Sequence, residues 1–425
     1  MRYFIGRFVA VLIFAAPALP AMAQTADAET APSPVVDYRR LDARLKRLSA
    51  GEDIMGLAVV VVEKGEIAFL KGYGRTHAAG DKVDSDTIFR WASVSKGVAG
   101  TLAGMLASEN KLDLGRPIAE FSTSLRLPGG AHQRATLAHV LSHRVGLVSN
   151  AYDLRLEAGE DPVVLRAAFA GLKPLCAPGA CFSYQNIAFD AASEALARAA
   201  GKPYAQLAQE RLFGPLAMTR ASLSSAGLAL DANYARPHRR REAATGLEER
   251  PGKEAYYRVP AAGGVNSSIA DMAEYLRAQM GLRPEVIGNA ARAIAHQPLV
   301  ETPQELRRQP RRGSVEATPP RVTTAHYGLG WRISDYAGRS LVGHRGAVEG
   351  YRALILFDDA RDFGVAVLWN SGSGRPVGIA NEAFDMAYGL PFVDWMALDP
   401  VVLGPYRPSI PVEPAPWRFP WPFTE

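Results

Sequence analysis

The sequence predicts an α/β plus all-α fold, with a central antiparallel sheet built from both chain ends and a helical domain inserted between them. Near the start, apolar runs at 57–62 and 67–70 flank a glycine-containing turn, the pattern of a β-hairpin. Far downstream, apolar runs at 352–357 and 363–369 flank the polar turn 358–362, which predicts a second hairpin. Strands from distant parts of the chain therefore meet in one sheet.

Helical periodicity dominates the region between these hairpins. The predicted helices cover residues 96–109, 137–143, 188–200, 204–212 and 269–280. We expect one domain over 36–400, with an α/β part at about 36–95 and 260–400 and a helical part at about 96–259. A groove shared by two such parts is a usual place for an active site.

Both ends of the chain have distinctive compositions. Residues 1–23 combine a basic start, an apolar run and a small-residue ending at Ala23, which is typical of a cleaved signal peptide and predicts a periplasmic or secreted protein. We expect residues 24–35 to form a disordered polar lead, and residues 401–425, rich in proline and tryptophan, to form an extended tail. We expect no stable membrane span after cleavage.

Charge and cysteine content restrict the classes of partner. The formal charge of +5 falls by two, to +3, when the signal peptide removes Arg2 and Arg7, which is too mild to indicate nucleic-acid binding. Cys176 and Cys181 are the only cysteines, too few for a structural zinc site. A disulfide loop is plausible in an oxidising compartment, and two free thiols are the alternative. We expect no metal and no cofactor.

The first chemical motif is Ser93-x-x-Lys96 at the start of a predicted helix. Two residues three apart project from one face of a helix. A serine hydroxyl needs a base to become a good nucleophile, and a desolvated lysine amine can serve as that base. The helix N-terminus would also favour an oxyanion near Ser93. This spacing alone is a weak signal.

Two further motifs follow in the chain. Tyr184-x-Asn186 opens the helix predicted after the cysteine loop, where a tyrosine could relay a proton and an asparagine could hold a substrate amide. His344-x-Gly346 precedes the second hairpin, where the histidine could supply a proton or a hydrogen bond. Gly346 would let a substrate backbone approach a strand edge.

The three motifs, in this order, resemble those of the penicillin-recognising serine hydrolases: class C β-lactamases, DD-carboxypeptidases, D-aminopeptidases and related esterases. The resemblance implies that Ser93 is acylated, that Lys96 and Tyr184 share proton transfer, and that Asn186 positions substrate. It further implies an oxyanion hole formed by the backbone N–H groups of Ser93 and Ala347.

One departure from this pattern affects the choice of substrate. The Lys-Thr-Gly usual in class C β-lactamases is replaced by His344-Arg345-Gly346, so a fixed charge is lost. His344 could be a cation that holds a substrate carboxylate, or a neutral hydrogen-bonding partner of Tyr184.

The expected function is that of an exported serine hydrolase acting on a small molecule or peptide, including peptidoglycan-derived peptides. A β-lactam or D-amino-acid peptide is the favoured substrate type. The alternatives are a carboxylesterase of the same family and, from another class, a non-catalytic penicillin-binding-like sensor or scaffold.

Overall fold

The computed structural model describes residue 1 and residues 36–229, 231–241, 246–307 and 321–399. The predicted signal peptide after Met1, the predicted lead and the predicted tail lie outside the described residues. The strands are β1 (Gly56–Glu63), β2 (Glu66–Gly74), β3 (Phe89–Arg90), β4 (His238–Arg240), β5 (Leu247–Glu249), β6 (Asn266–Ser267), β7 (Val300–Glu301), β8 (Val322–Tyr327), β9 (Arg332–Tyr336), β10 (Arg339–Val348), β11 (Tyr351–Asp358) and β12 (Phe363–Trp369).

Helices fill the middle of the chain and also lie at both ends of the described region. They are α1 (Tyr38–Ser49), α2 (Ser95–Ser108), α3 (Leu137–Leu141), α4 (Asp153–Glu157), α5 (Pro162–Ala168), α6 (Ala191–Ala200), α7 (Tyr204–Ala208), α8 (Ser225–Ala229), α9 (Pro260–Gly263), α10 (Ile269–Gln279), α11 (Asn289–His296), α12 (Pro303–Arg307) and α13 (Val377–Ala387). Within the described ranges, none of these helices is both long and apolar enough to cross a bilayer.

The central sheet has eight strands in the order β2-β1-β12-β11-β10-β9-β8-β7. Every neighbouring pair is antiparallel. The N-terminal hairpin β1–β2 joins the C-terminal strands through the pairing of β1 with β12. The predicted fold class, an antiparallel sheet built from both chain ends with helices between them, is confirmed.

The centre of the sheet is buried on both faces, which explains the unbroken apolar run in β1. Leu57, Val59 and Val61 pack in one core with α1 and α13, whereas Ala58 and Val60 pack in the other core with α2 and α10. Side chains alternate between the two faces of a strand, so a strand covered on both sides needs apolar residues at every position.

Some predicted boundaries are wrong. Helix α3 ends at Leu141, because the chain turns sharply at His143, which has φ +59°. The segment that contains Tyr184 is a loop, and the helix predicted to start near 188 begins at Ala191. His344 precedes the second hairpin, β11–β12, as predicted, and it lies within a strand of its own, β10, which pairs with β11.

Glycine at position 100 allows α2 to pack closely against the backbone of the C-terminal part. A Cβ atom there would lie 1.6 Å from the carbonyl oxygen of Leu329. We predict that Gly100→Ala lowers the free energy of unfolding by roughly 2 kcal/mol, because steric overlap outweighs the gain of about 1 kcal/mol from alanine's helix propensity. Urea denaturation measures the change.

Gly171→Ala is the matched control for this substitution. A Cβ atom at position 171 meets no atom within 4 Å, and we expect a change within about 0.5 kcal/mol. Equal effects of the two substitutions would show that α2 does not depend on this close approach.

Candidate active site

Ser93 lies in a short 3₁₀ turn, Ala92–Val94, that leads into α2. Ala92 adopts φ +48°, a conformation that non-glycine residues seldom occupy outside functional or strained sites. Ala92 and Val94 are buried, whereas Ser93 between them is partly exposed. The turn therefore anchors its two flanking residues in the core and leaves the serine open to a substrate.

Lys96 is the second residue of α2, and its side chain is fully buried. Its Nζ atom is 3.3 Å from Ser93 Oγ, 2.7 Å from Asn186 Oδ1 and 2.9 Å from the carbonyl oxygen of Ala262. Two of these three neighbours are carbonyl oxygens that can only accept a hydrogen bond. They fix the position of the nitrogen relative to the Ser93 hydroxyl.

Asn186 links Lys96 to an acidic residue that sequence reasoning missed. While its Oδ1 accepts from Lys96, its Nδ2 donates to Asp153 Oδ2 at 2.7 Å. Burial raises the pKa of Asp153, whereas the Asn186 hydrogen bond and the Lys96 charge act in the opposite direction. Asn186 therefore orients the lysine, and its predicted contact with substrate stays a prediction.

Tyr184 is placed in the same site by its backbone and its ring. Its carbonyl oxygen accepts from Asn150 N at 2.8 Å. Its ring centroid lies 4.2 Å from that of His143 and 4.8 Å from Lys96 Nζ. The phenol ring therefore sits beside the lysine that contacts Ser93.

A chain of hydrogen bonds connects two buried histidines. Gln185 N donates to His143 Nδ1 at 3.1 Å, and His143 Nε2 is 3.2 Å from Tyr327 Oη. Tyr327 Oη is 2.9 Å from His344 Nε2, and His344 Nδ1 is 2.8 Å from the carbonyl oxygen of Arg345. Because a backbone N–H can only donate, His143 Nδ1 is an acceptor and the ring carries its proton on Nε2. Because a carbonyl can only accept, His344 carries a proton on Nδ1.

Both histidines are neutral when all four hydrogen bonds point from Gln185 towards Arg345, with Tyr327 donating to His344 Nε2. Burial lowers the pKa of His143 and of His344 well below the usual histidine range, and the positive charges of Lys96 and Arg332 lower both pKa values further. Of the two roles predicted for His344, a cation is disfavoured. A direct bond to Tyr184 is absent as well: the ring centroids are 6.5 Å apart, and the hydrogen-bonding partner is Tyr327.

Gly346 brings β10 against the turn that holds Ser93. A Cβ atom at position 346 would lie 2.1 Å from the carbonyl oxygen of Trp91 and 3.1 Å from Ser93 N. The next residue, Ala347, is exposed. Strand β9 pairs with β10 only from Arg339 to Gly343. Among the described residues, no strand therefore pairs on the β9 side of the segment that carries Gly346 and Ala347.

The cysteine loop packs against the turn at His143. Cys176 and Cys181 form a disulfide bond. Gly179 N donates to the carbonyl oxygen of Arg144 at 2.7 Å, and Ser183 N donates to that of His143 at 2.9 Å. The loop and the turn together hold the backbone that leads into Tyr184.

His139 and His143 have the i, i+4 spacing of paired zinc ligands, but they do not form such a pair. His143 lies beyond the end of α3, and the Nδ1 atom of His139 accepts from Thr136 N in the cap of that helix. The described parts of the chain contain no cluster of three or more potential metal ligands.

Comparison with known families is consistent with this constellation. The sequence profile of the Beta-lactamase family matches residues 41–388. The chain belongs to the Beta-lactamase family. The family resemblance predicted from the three motifs is therefore confirmed.

Several curated proteins are similar to this Beta-lactamase family chain. The "Unguisins hydrolase ungD'" of Aspergillus campestris is 24% identical over 75% of this chain and 59% of its own length. The "D-alanyl-D-alanine-carboxypeptidase/endopeptidase AmpH" of Escherichia coli is 28% identical over 40% of this chain and 45% of its own. "Esterase EstB" of Burkholderia gladioli is 28% identical over 44% and 52%. The chain thus spans about half the length of these relatives.

A solved structure supports the fold. The octameric penicillin-binding protein homologue from Pyrococcus abyssi superposes with a TM-score of 0.72 at 23% identity, covering 84% of this chain and 78% of that one. At this level of identity the likeness establishes the fold alone.

If His344 is neutral in the folded protein, the free energy of unfolding should depend on pH. A folded-state pKa below the unfolded value means that the unfolded chain binds the extra proton, so stability is present above about pH 6.5 and is lost as pH falls below it. The stability difference between the wild type and His344→Gln should therefore shrink by up to about 1.4 kcal/mol per pH unit below pH 6.5. Urea denaturation at several pH values measures it. A difference that stays constant with pH would contradict a neutral buried His344.

Proposed function

We propose that this chain is an exported serine hydrolase that cleaves an amide or ester through an acyl-enzyme on Ser93. The observation that carries this proposal is the position of Lys96 Nζ, 3.3 Å from Ser93 Oγ and held by two carbonyl oxygens. A neutral amine has two N–H bonds and one lone pair. If the two N–H bonds point to Asn186 Oδ1 and Ala262 O, the lone pair faces the serine hydroxyl, as a general base requires.

The first chemical step follows from this geometry. Ser93 Oγ attacks the substrate carbonyl carbon while its proton moves to Lys96 Nζ, which gives a tetrahedral oxyanion. The C–N or C–O bond then breaks, and the leaving group takes a proton from Lys96 directly or through Tyr184. Water then attacks the carbonyl carbon of the resulting ester while one of its protons moves to the same groups. The bond between that carbon and Ser93 Oγ breaks, Oγ takes the proton back, and the carboxylic acid is released.

The proposed oxyanion hole consists of the backbone N–H groups of Ser93 and Ala347. The contact between Gly346 and the Ser93 turn supports it, because it brings the two segments that carry these N–H groups side by side. Donors fixed by backbone need no reorganisation as charge develops on the carbonyl oxygen. A side chain at position 346 would force the segments apart.

We favour a β-lactam or a D-amino-acid peptide as the substrate type, including peptidoglycan-derived peptides. The printed name of the relative AmpH, a D-alanyl-D-alanine-carboxypeptidase/endopeptidase, supports a peptide substrate. The open β10 edge beside Ser93 supports it too, because an extended peptide can pair there as an added strand.

A carboxylesterase of the same family is the second candidate. The similarity to EstB favours it. The replacement of the lysine usual in class C β-lactamases by a neutral His344 fits the esterase and peptidase branches better than a β-lactamase. A non-catalytic sensor or scaffold is disfavoured, because a chain without catalytic function has no need to keep a buried lysine in contact with a partly exposed serine.

Export is part of the proposal and rests on two observations. Residues 1–23 have the pattern of a signal peptide, and Cys176 pairs with Cys181 in a disulfide of the kind that persists in oxidising compartments.

We predict that Ser93→Ala abolishes turnover and covalent labelling by a fluorophosphonate or a fluorescent penicillin, with little change in thermal stability, because it deletes a partly exposed hydroxyl. Mass mapping of the adduct in the wild type should find it on the peptide that contains Ser93. Ser108→Ala is the matched control: it removes an exposed hydroxyl from the C-terminal end of α2 that donates only to the carbonyl oxygen of Met105. Full activity of Ser93→Ala, or an adduct on another residue, would refute the proposed nucleophile.

A further inference from the structure

A cationic cavity adjoins β10, the strand that carries the proposed oxyanion-hole residue Ala347. Its volume is about 290 Å³, and Ala347 and Val348 of β10 form part of its wall. Ala347 directly follows Gly346, which contacts the Ser93 turn. A substrate whose scissile carbonyl lies at Ser93 would therefore extend a neighbouring group into this cavity.

Positive charge exceeds negative charge in its lining. Four cationic side chains, Arg90, Arg239, Lys253 and Arg352, line the cavity together with only two carboxylates, Glu157 and Glu349.

The two carboxylates are shared among several cations. Glu349 lies 3.4 Å from Arg239 and 3.6 Å from Lys253, and Arg250 also approaches it at 3.6 Å. Glu157 is 3.6 Å from the same Lys253. One carboxylate facing three cations cannot neutralise all of them, so the cavity keeps a net positive charge.

Arg90 supplies the observation that points to a ligand. Its side chain is only 3% exposed, and it lies on β3, three residues before Ser93. Its Nη1 donates to the carbonyl oxygen of Lys253 at 3.0 Å, and its guanidinium stacks 3.9 Å from the ring centroid of Tyr257. Within the part of the chain that the structure describes, its buried Nε and Nη2 have no hydrogen-bond partner.

A buried guanidinium without an ionic partner is costly to keep. Arg352, on β11 next to β10, is in a similar position: among the described residues its hydrogen-bond acceptors are backbone carbonyl oxygens, those of Val348 and Tyr351. Burial and the nearby charge of Arg239 lower the pKa of Arg352, whereas Glu349 acts in the opposite direction. An anion entering the cavity would relieve both costs.

We propose that this cavity is a specificity subsite that binds a carboxylate of the substrate. This inference rests on the proposed function, because it assigns the subsite to a substrate that reacts at Ser93. Guanidinium groups bind carboxylates through paired N–H donors, so arginines suit this role better than lysines. Since His344 is neutral, it cannot supply the charge that recognises an anionic substrate, and the cavity beside Ala347 can.

Two matched chromogenic esters test the subsite: p-nitrophenyl hemisuccinate, which carries a free carboxylate, and its neutral methyl ester. We expect the wild type to prefer the anionic ester in kcat/KM. The Arg239→Gln/Arg352→Gln variant should reduce this preference about tenfold, the loss expected for one charged interaction. Arg116→Gln, which removes an exposed arginine paired with Glu120 on another part of the surface, should leave the preference unchanged. An unaltered preference in the double variant would overturn the proposal.

A binding measurement tests for the carboxylate subsite independently of turnover. In a Ser93→Ala background, NMR titration with N-acetyl-D-alanine and with its carboxamide compares the same ligand with and without the carboxylate. We expect tighter binding of the carboxylate, weakened about tenfold by the double arginine substitution. Equal affinities for the two ligands would overturn the subsite even if the esters are hydrolysed. Tight carboxylate binding with no hydrolysis by the wild type would instead overturn the proposed function and leave the subsite standing.

Discussion

The structure depends on the placement of one buried amine. Lys96 is enclosed by the core, and its nitrogen touches two fixed carbonyl groups and the Ser93 hydroxyl. A buried amino group that lacked such partners would be strongly destabilising, so Asn186 and Ala262 both stabilise the lysine and aim it. These two partners come from distant parts of the chain, and only the assembled helical and sheet parts bring them together.

The polar side chains around Lys96 are held in place mainly by hydrogen bonds between neutral groups. The chain from His143 through Tyr327 to His344 is made of neutral groups, each of which has a donor or an acceptor on both sides. Once Lys96 has accepted the Ser93 proton it is a buried cation, and the neutral hydrogen-bond chain adds no charge beside it. The cavity beside Ala347 holds four cationic side chains, whose charge a substrate group can compensate.

The sequence predicted the parts of the fold that follow from local pattern. Both hairpins and helix α2 were predictable, because apolar runs on either side of a turn indicate paired strands, and a largely apolar helix must be buried. The turn at His143 and the loop at Tyr184 were not, since their conformations follow from contacts between segments. Asp153 and Tyr327 escaped prediction because neither belongs to a short motif, and only the folded chain places them beside Asn186 and His344.

The most direct test of a lysine base is the acylation rate of Lys96→Arg, measured by stopped-flow with a chromogenic ester and compared with Lys96→Met. Arginine keeps the positive charge but does not lose its proton in proteins, so it can stabilise charge without acting as a base. If Lys96 accepts the Ser93 proton, both variants should acylate at the background rate while remaining folded. A Lys96→Arg variant that retained most of the wild-type acylation rate would contradict this mechanism and assign the lysine an electrostatic role only.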